Sequence, residues 1–276
     1  MRSFSAYLQL TRPVNCAIAF ASVLVGAFVA GAEVAGRLAL IAGLSEFCLC
    51  AGANVINDCY DMARDRLNKP ARPLVTGRAT RQAAIVYAVL LSVMGVGLGV
   101  TLGLAPSGVA LFTALAALAY SAVLKKMAFV GNVTVSAVSS LAFVYGGLTG
   151  PRPLLSIVPA GFAFLFHLGR EVLKDIEDAA GDAASRVTTV PVRYGTTTAV
   201  GVITGVFAAL ILSTLLPVMA GWYGRTYLAL VILVDLILLY VVRSMWRDAG
   251  PANAGRLSRI LKANMVLGLI ALCAGR

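Results

Sequence analysis

Two short acidic segments of this chain share one spacing of aspartates. The segments "DCYDMARD" at 58–65 and "DIEDAAGD" at 175–182 both follow the pattern D-x2-D-x3-D. Offsets of three and seven residues place side chains on one face of an α-helix, so each segment is expected to present three neighbouring carboxylates. Such carboxylates repel each other and require cations. Their hard oxygen atoms suit Mg²⁺, which binds one or two carboxylates and completes its shell with water and phosphate oxygens.

The second segment repeats the first after 117 residues, aspartate for aspartate. Each segment closes an apolar stretch, and a "VTG" near Gly77 and an "RYG" near Gly195 follow at almost the same offset. A solvated acidic loop balanced by arginines is the alternative, but such a loop is not expected to be duplicated with its spacing intact. We therefore predict that the two segments face each other and hold a diphosphate through Mg²⁺. The predicted metal ligands are Asn57, Asp58, Asp61, Asp65, Asp175, Asp178 and Asp182, and the predicted catalytic residues are Asp61, Asp65, Asp178 and Asp182.

Polar and basic residues beside the segments are candidates for binding substrate. Asn54 and Asn57 each precede an aspartate by one helical turn, while Arg170 and Lys174 lie beside the second segment. Lysine and arginine can hold phosphate oxygens that the metal does not cover, or can only balance the carboxylates. Both interpretations stay open at this stage. The predicted substrate-binding residues are Asn15, Asn54, Lys69, Arg72, Tyr120, Lys125, Arg170 and Lys174.

Aromatic residues near the segments are candidates for contact with a positively charged group. Tyr60, Tyr120 and Tyr145 are the candidates, because the π face of a ring attracts a cation. Packing in the core or at the membrane interface is the alternative role for each ring taken singly.

The composition predicts the surroundings of these residues. Of the 276 residues, 59% are hydrophobic and 13% are charged, whereas a soluble domain has about a quarter charged residues. The chain is therefore expected to be a polytopic membrane protein. Its net charge of +11 indicates cytoplasmic loops, contacts with anionic lipid or an anionic substrate, and not nucleic acid. The five cysteines support neither a disulfide framework nor a zinc site, and no protein partner is indicated.

Apolar stretches between charged loops predict an all-α bundle of nine transmembrane helices. The parallel repeat suggests two related four-helix halves plus a ninth helix within a single domain, 1–276. Basic residues concentrate in every second loop, which places both acidic segments on the cytoplasmic side of the cell membrane. The uncharged interval 82–124 is long enough for two helices, with "GLAPSG" at 103–108 as their turn. The other helices are predicted near 13–32, 37–57, 127–149, 153–175, 196–217, 225–243 and 257–274.

Two other kinds of membrane protein share part of this pattern. Transporters also carry repeats and buried acids, but here the repeat is parallel and the acids cluster at the rim of the membrane. A CDP-alcohol phosphatidyltransferase needs a DG dipeptide followed by AR and then GxxxDxxxD, and "DMARDR" does not supply that string.

The motifs resemble those of the UbiA superfamily of intramembrane prenyltransferases over nearly the whole chain. "NDCYDMARD" is similar to the superfamily motif NDxxDxxxD, and "DIEDAAGD" contains its second motif, DxxxD. The strings "LTRPVNCAIA", "LKKMAFVGN", "GREVLKDIEDAAGD" and "VDLILLY" resemble the archaeal-type branch, the geranylgeranylglyceryl phosphate geranylgeranyltransferases. Ala180 and His167 depart from the residues usual in that branch, and neither belongs to the metal motifs.

This resemblance implies a reaction. The superfamily carries out metal-dependent prenyl transfer, and the branch would transfer a geranylgeranyl group from its diphosphate to geranylgeranylglyceryl phosphate, with Mg²⁺ as cofactor. The product would contain the second ether bond of archaeal-type membrane lipids. Prenylation of an aromatic acceptor, as in quinone or chlorophyll synthesis, is the first alternative, and a membrane transporter is the second.

Overall fold

The computed structural model describes residues 4–34 and 36–275, and these residues form an all-α protein. About 82% of the described residues are helical, and no strand occurs among them. Helices are the expected form for these apolar runs, because a membrane offers no water to the backbone polar groups. The helices are α1 (Phe4–Thr11), α2 (Pro13–Val29), α3 (Arg37–Tyr60), α4 (Met62–Asn68), α5 (Arg81–Val100), α6 (Leu104–Ala122), α7 (Val130–Gly147), α8 (Ile157–Ala184), α9 (Val190–Tyr194), α10 (Thr196–Thr214), α11 (Leu216–Met219), α12 (Arg225–Arg247) and α13 (Pro251–Ala274), with 3-10 turns at Leu124–Lys126 and Pro153–Ser156.

Eight helical stretches of the described chain are long and apolar enough to cross a membrane. The helices α1 and α2 also pass as a pair, with a bend of 44° between them, and this pair brings the number of spans to nine. The predicted all-α, polytopic membrane architecture is therefore confirmed, and the predicted count of nine spans is reached when the bent pair is counted as one.

The bend between α1 and α2 follows from the sequence "TRP". Pro13 has no backbone N–H to continue the helix from α1, and it restricts the conformation of the residue before it. That residue, Arg12, adopts the left-handed conformation with φ 53° and ψ 68°. A non-glycine residue in this region is uncommon, and such positions cluster at functional sites. The bend places Arg12 at the junction of α1 and α2.

Three predicted boundaries differ most from the structure. The helix predicted near 153–175 continues to Ala184, so the second acidic segment lies inside α8. The predicted turn at 103–108 is wrong: α6 begins at Leu104, and the turn is formed by residues 101–103. Pro106 fits the first turn of α6, where a backbone N–H has no helical partner. The last helix begins at Pro251 and not near 257.

The described chain divides into two compact units. One contains the described residues up to Lys125 together with Leu141–Ile157, and the other contains Lys126–Ser140 and the described residues from Val158 onward. Helix α7 contributes residues to both units, so this division falls within a helix and differs there from the predicted halves. The assignment of the whole chain to a single domain stays a prediction.

Small residues bring helices close together in the first unit. A Cβ atom added to Gly26 of α2 would overlap the backbone carbonyl of Phe143 in α7, and one added to Gly146 would overlap the carbonyl of Val23. Glycine at such positions allows two backbones to approach and make extensive van der Waals contact. Beside this contact, the buried Tyr145 hydroxyl donates a hydrogen bond to Ser45 Oγ at 2.8 Å.

A separate apolar cluster of the first unit fixes the loop after the first acidic segment. Leu74 and Ala79 of this loop are buried against Leu10 of α1, Val55 of α3 and Ala84 of α5. The loop is therefore anchored by burial, and the basic residues that it carries start from a fixed backbone.

The second unit has its own core, in which α8 packs with α10, α12 and α13. Phe207 of α10 lies against Gly169 of α8, where a Cβ would overlap its ring. Leu173, Leu238 and Leu257 are fully buried in the same cluster. This packing fixes the helix that carries the second acidic segment.

We predict that Gly146→Ala destabilises the protein while Gly97→Ala does not. The added methyl group at position 146 overlaps backbone atoms, and overpacking of this kind costs about 1 to 3 kcal/mol. Gly97 lies in α5 with no atom within 4 Å of an added Cβ, and alanine there gains helix propensity. Thermal unfolding in detergent, followed by circular dichroism, would measure both. Equal melting temperatures for the two variants would contradict the close packing of α2 and α7.

Candidate active site

The first acidic segment lies at a break between two helices. Helix α3 ends at Tyr60, Asp61 occupies the junction with φ −91° and ψ 2°, and α4 begins at Met62. This conformation belongs to the sparsely populated bridge region, where many active-site residues lie. The prediction of one continuous helical face is therefore wrong for the first segment. It is confirmed for the second, because Asp175, Asp178 and Asp182 lie in the uninterrupted helix α8.

Two arginines from different loops converge on Asp58. Arg12 Nη2 lies 2.5 Å from Asp58 Oδ1, and Arg72 Nη1 contacts the same oxygen. Arg72 Nε also lies 3.7 Å from Asp65 Oδ2. The helix bend at Arg12 and the anchored loop at Arg72 thus supply the cations for a buried carboxylate at the end of α3.

Asp61 is held by a second group of donors. Arg64 Nη2 lies 2.6 Å from Asp61 Oδ2, and Lys125 Nζ lies 2.5 Å from Asp61 Oδ1. The Asn57 amide donates to Asp61 Oδ2 at 2.8 Å. Lys125 Nζ also lies 5.7 Å from the centre of the Tyr60 ring, which is exposed. The sequence predictions for Asn57, Asp61 and Lys125 therefore fall on side chains that the structure brings together.

The pKa values of these groups follow from burial and from the neighbouring charges. Burial raises the pKa of the Asp61 carboxyl, but Arg64 and Lys125 outweigh this effect and hold the pKa below its ordinary value. Burial raises the pKa of Asp65, and Arg72 offsets the increase only in part. For the Lys125 ammonium group, burial lowers the pKa against the opposing attraction of Asp61. Asp61 is therefore ionised at neutral pH, and the ionised form is the one that can bind a metal ion.

The cations in contact with the first segment outnumber its carboxylates. Three aspartates are contacted by three arginines and a lysine. These ion pairs are partly or fully buried, so water weakens them less than it weakens a surface pair. The arrangement neutralises the carboxylates and leaves positive charge for an anionic group.

The second acidic segment has different partners. The Asn132 amide donates to Asp175 Oδ2 at 2.8 Å. Lys174 Nζ lies 2.7 Å from Glu171 Oε2, and Arg170 Nη1 lies 3.3 Å from Glu171 Oε1. Asp178 and Asp182 are both buried in the same helix.

The charge balance of the second segment is acidic. The stretch from Arg170 to Asp182 contains five carboxylates and two cations, and both cations pair with Glu171. Carboxylates therefore outnumber basic residues in this stretch of α8.

Comparison with known proteins agrees with these motifs. The profile of the UbiA prenyltransferase family matches residues 19–266. The chain belongs to this family. It is 37% identical to a digeranylgeranylglyceryl phosphate synthase of Methanopyrus kandleri over 269 residues, 98% of each chain. This UbiA prenyltransferase is thus an enzyme embedded in a membrane, and the predicted resemblance is confirmed.

Solved structures share the fold of this UbiA prenyltransferase. A structure of a digeranylgeranylglyceryl phosphate synthase matches with a TM-score of 0.78 and 28% identity, covering 100% of this chain and 99% of that one. A UbiA homologue from Archaeoglobus fulgidus bound to GPP and Mg²⁺ matches with a TM-score of 0.72 and 21% identity, covering 98% and 99% of the two chains. Membership in the family favours the enzyme over the transporter considered from the sequence.

The side chains present suit a hard divalent cation in number and in type. No group of three His, Cys, Asp or Glu side chains that could hold a metal ion is found in the part of the chain that the structure describes. Mg²⁺ does not require such a group, because it usually binds one or two carboxylates and obtains its other ligands from water and substrate phosphate. The oxygen donors of both segments fit this chemistry.

Other predicted substrate-binding residues have varied surroundings. Asn54 Nδ2 donates to the Thr11 carbonyl at 3.0 Å and so ties α3 to the residue before Arg12. Lys69 closes α4, where its backbone amide bonds to the Asp65 carbonyl at 2.8 Å. Asn15 and Tyr120 are half-buried, in the first turn of α2 and the last turn of α6.

Of the three tyrosines predicted to contact a cation, one has a packing role instead. Tyr145 is fully buried, and its hydroxyl is bonded within the core of the first unit. It is therefore a packing residue, whereas Tyr60 lies beside Lys125 at the acidic segment.

Sequence reasoning missed three residues of these clusters. Arg12 contacts Asp58, and its signal was the "RP" dipeptide that breaks the first helix. Asn132, in "VGN", donates to Asp175 from α7, a contact that spacing along one helix does not reveal. Glu171 of α8 pairs with both Arg170 and Lys174, and these contacts were not predicted.

We predict that Arg12→Gln strengthens metal binding by the first segment. The guanidinium competes with a divalent cation for Asp58, and a partly exposed ion pair contributes about 0.5 to 1 kcal/mol, or about two- to fivefold in affinity. Mn²⁺ binding, measured by electron paramagnetic resonance without substrate, would report the change. The measurement would use a background with Asp178→Asn and Asp182→Asn, so that the first segment dominates.

The matched control for this measurement is Arg78→Gln. Arg78 is exposed in the same loop and bonds to Thr76 and to the Ala71 carbonyl. Its removal should leave Mn²⁺ affinity nearly unchanged. Weaker Mn²⁺ binding by Arg12→Gln would mean that Arg12 supports the metal site and does not compete with it.

Proposed function

We propose that this enzyme transfers a geranylgeranyl group from geranylgeranyl diphosphate to geranylgeranylglyceryl phosphate. The bond between C1 of the prenyl chain and the diphosphate oxygen breaks, and its electron pair leaves with the diphosphate. The remaining secondary hydroxyl of the acceptor forms an ether bond to C1 and loses its proton. The product is digeranylgeranylglyceryl phosphate, a phosphate-bearing lipid with two ether-linked chains.

The observation that carries this proposal is similarity to a named synthase over the whole chain. The relative from Methanopyrus kandleri is called a digeranylgeranylglyceryl phosphate synthase, and 98% of each chain is aligned. Because the match includes both acidic segments and nearly all helices, it supports the same reaction and not only the same fold.

The charges of the first segment independently support an anionic acceptor. Its carboxylates are already outnumbered by the cations that contact them. A diphosphate bound with a metal ion would use part of this positive charge. A glycerol phosphate acceptor adds a second phosphate, for which Arg12 and Arg72 are suitable donors because guanidinium groups bind phosphate oxygens in pairs.

We propose that both acidic segments hold Mg²⁺. The ligands would come from Asp58, Asp61 and Asp65 with Asn57 in the first segment, and from Asp175, Asp178 and Asp182 in the second. A bound divalent cation would neutralise the diphosphate and stabilise it as a leaving group. The UbiA homologue of Archaeoglobus fulgidus was solved with GPP and Mg²⁺, which supports this choice of metal.

The chain's own residues have separate tasks in this scheme. Arg64 and Lys125 keep Asp61 ionised, and Lys125 can also approach a diphosphate oxygen. Asn132 orients Asp175 through its amide. Glu171 holds Arg170 and Lys174 in place, from where they can bind phosphate oxygens. The exposed ring of Tyr60 can shield positive charge that develops at C1.

We further propose that the enzyme lies in the cell membrane with both acidic segments facing the cytoplasm. The loops after α3–α4, α6, α8 and α12 contain most of the basic residues between helices, and the positive-inside rule then gives this orientation. The substrates would be a prenyl diphosphate and a glycerol phosphate lipid that enters from the bilayer.

We expect the purified protein with Mg²⁺ to prenylate geranylgeranylglyceryl phosphate in preference to 4-hydroxybenzoate when both are offered with geranylgeranyl diphosphate. Mass spectrometry of the products would measure this preference.

Asp61→Asn and Asp178→Asn should each lower turnover by about 100-fold or more, because each removes a negative charge that is proposed to hold the metal ion at the leaving diphosphate. Excess EDTA should abolish the reaction.

The control variant is Glu177→Gln, which removes an acid of α8 outside the D-x2-D-x3-D spacing. It should keep most of the activity. Prenylation of 4-hydroxybenzoate alone would reject the proposed acceptor and retain the family. Full activity of Asp178→Asn, or full activity in EDTA, would reject the role of the metal.

The orientation predicts which loops can be labelled from each side. In a cysteine-free background, Arg78→Cys and Arg186→Cys should react with a membrane-impermeant maleimide only in inverted vesicles. Arg152→Cys should react only in intact cells. Labelling of position 78 from outside the cell would overturn the proposed cytoplasmic site.

A further inference from the structure

Four arginines surround the turn between α12 and α13, in the second unit. Arg243 and Arg247 belong to α12, Arg256 and Arg259 belong to α13, and all four are exposed. Among the described residues, none of the four forms an ion pair with a carboxylate. The arginines of the first acidic segment differ in this respect, because Arg12, Arg64 and Arg72 all contact aspartates.

The acids near this turn form no ion pair with the four arginines in the described part of the chain. Asp248 is the one carboxylate between Tyr240 and Lys262, and its Oδ1 accepts a hydrogen bond from the Gly250 amide at 2.8 Å. Glu177 of α8 lies against the backbone of Gly255, on the buried face of α13. Positive charge at this turn is therefore not balanced by these carboxylates.

One of the arginines is held in a fixed position above an exposed ring. Arg256 Nη2 donates to Asn253 Oδ1 at 2.8 Å and to Ser244 Oγ at 3.3 Å. Its guanidinium carbon lies 5.9 Å from the centre of the Tyr240 ring. Asn253 is fixed in turn, because its amide donates to the Asp248 carbonyl at 2.7 Å. A guanidinium group held in this way loses less entropy when it binds an anion.

The remaining side chains extend this surface along α12. Tyr240, Arg243 and Arg247 are spaced by three and four residues and so share one helical face. Trp246 is exposed, and its indole N–H donates to Thr204 Oγ1 of α10 at 3.0 Å. Exposed tryptophan and tyrosine are typical of the membrane interface, at the depth of lipid headgroups.

We propose that this surface binds the phosphate of an anionic membrane lipid. We define it by Tyr240, Arg243, Arg247, Arg256 and Arg259 and call it the α12–α13 arginine surface. The arginines supply charge and paired N–H donors for a phosphate diester or monoester, and the exposed rings supply apolar contact for the glycerol and upper acyl region. The surface does not depend on the acceptor of the prenyl transfer, and it shares no residue with either acidic segment.

The test compares two double variants that remove the same charge. Arg243→Gln with Arg256→Gln alters the surface, while Arg37→Gln with Arg225→Gln removes two exposed arginines from the first turns of α3 and α12. Native mass spectrometry would count phosphatidylglycerol retained by each protein after exchange into nanodiscs of phosphatidylglycerol and phosphatidylcholine. We expect retention to fall about tenfold or more in the first double variant and to stay near the wild-type value in the second.

Three outcomes would overturn the proposal. Equal loss in both double variants would mean that lipid responds only to net charge. Equal retention of phosphatidylcholine would mean that the phosphate charge is not recognised. Displacement of phosphatidylglycerol by a low millimolar concentration of inorganic phosphate would mean that the surface binds the free anion and not the lipid. Lipid retention is measured without substrates, so failure here would leave the proposed reaction untouched.

Discussion

The burial of carboxylates at the end of an apolar helix is the constraint on which the rest of the structure depends. Asp58, Asp61 and Asp65 are each at most 4% exposed, and an unpaired buried charge costs several kcal/mol. In the first unit, cations from three separate parts of the chain form ion pairs with these carboxylates and offset this free-energy cost. Two of them, Arg12 and Arg72, reach Asp58 because a helix bend and an anchored loop place their backbones beside it. The packing of α1, α3 and α5 around Leu10 and Leu74 therefore positions the arginines that neutralise Asp58.

Two interruptions of helical structure allow these contacts. At Arg12 the chain adopts a left-handed conformation before Pro13, and at Asp61 it leaves the helix for a single residue. An unbroken α1–α2 helix would not turn at Arg12, and an unbroken α3–α4 helix would keep Asp61 in helical geometry. Local strain is tolerated at such positions when the surrounding packing fixes them. Here the Asn54 side chain bonds to the carbonyl of Thr11 and thus links the first interruption to the helix that carries Asp58.

Features that depend on local sequence were predictable, and features that depend on contacts between distant residues were not. Hydropathy identified the spans, because each must cover the thickness of a membrane, and the aspartate spacing identified both acidic segments. The break at Asp61 was not visible, since "CYDMAR" contains neither proline nor glycine and has ordinary helix propensity. The contact from Asn132 to Asp175 joins two helices, and one sequence gives no information on such pairs. Ion pairs such as Arg12 with Asp58 are likewise set by tertiary packing.

The two acidic segments have the same spacing of aspartates but different backbone structures and different neighbouring side chains. The first segment is divided by a helix break and surrounded by contacting cations in excess, whereas the second lies in a continuous helix whose cations are paired with Glu171. Both sequences could form the same helical face, so the difference arises from what packs around them. A cation-rich segment attracts phosphate oxygens and weakens a metal site, while an acid-rich segment attracts a divalent cation. The duplication therefore supplies two copies of one spacing of aspartates, and the residues that pack around them give the two copies different hydrogen bonds and ion pairs.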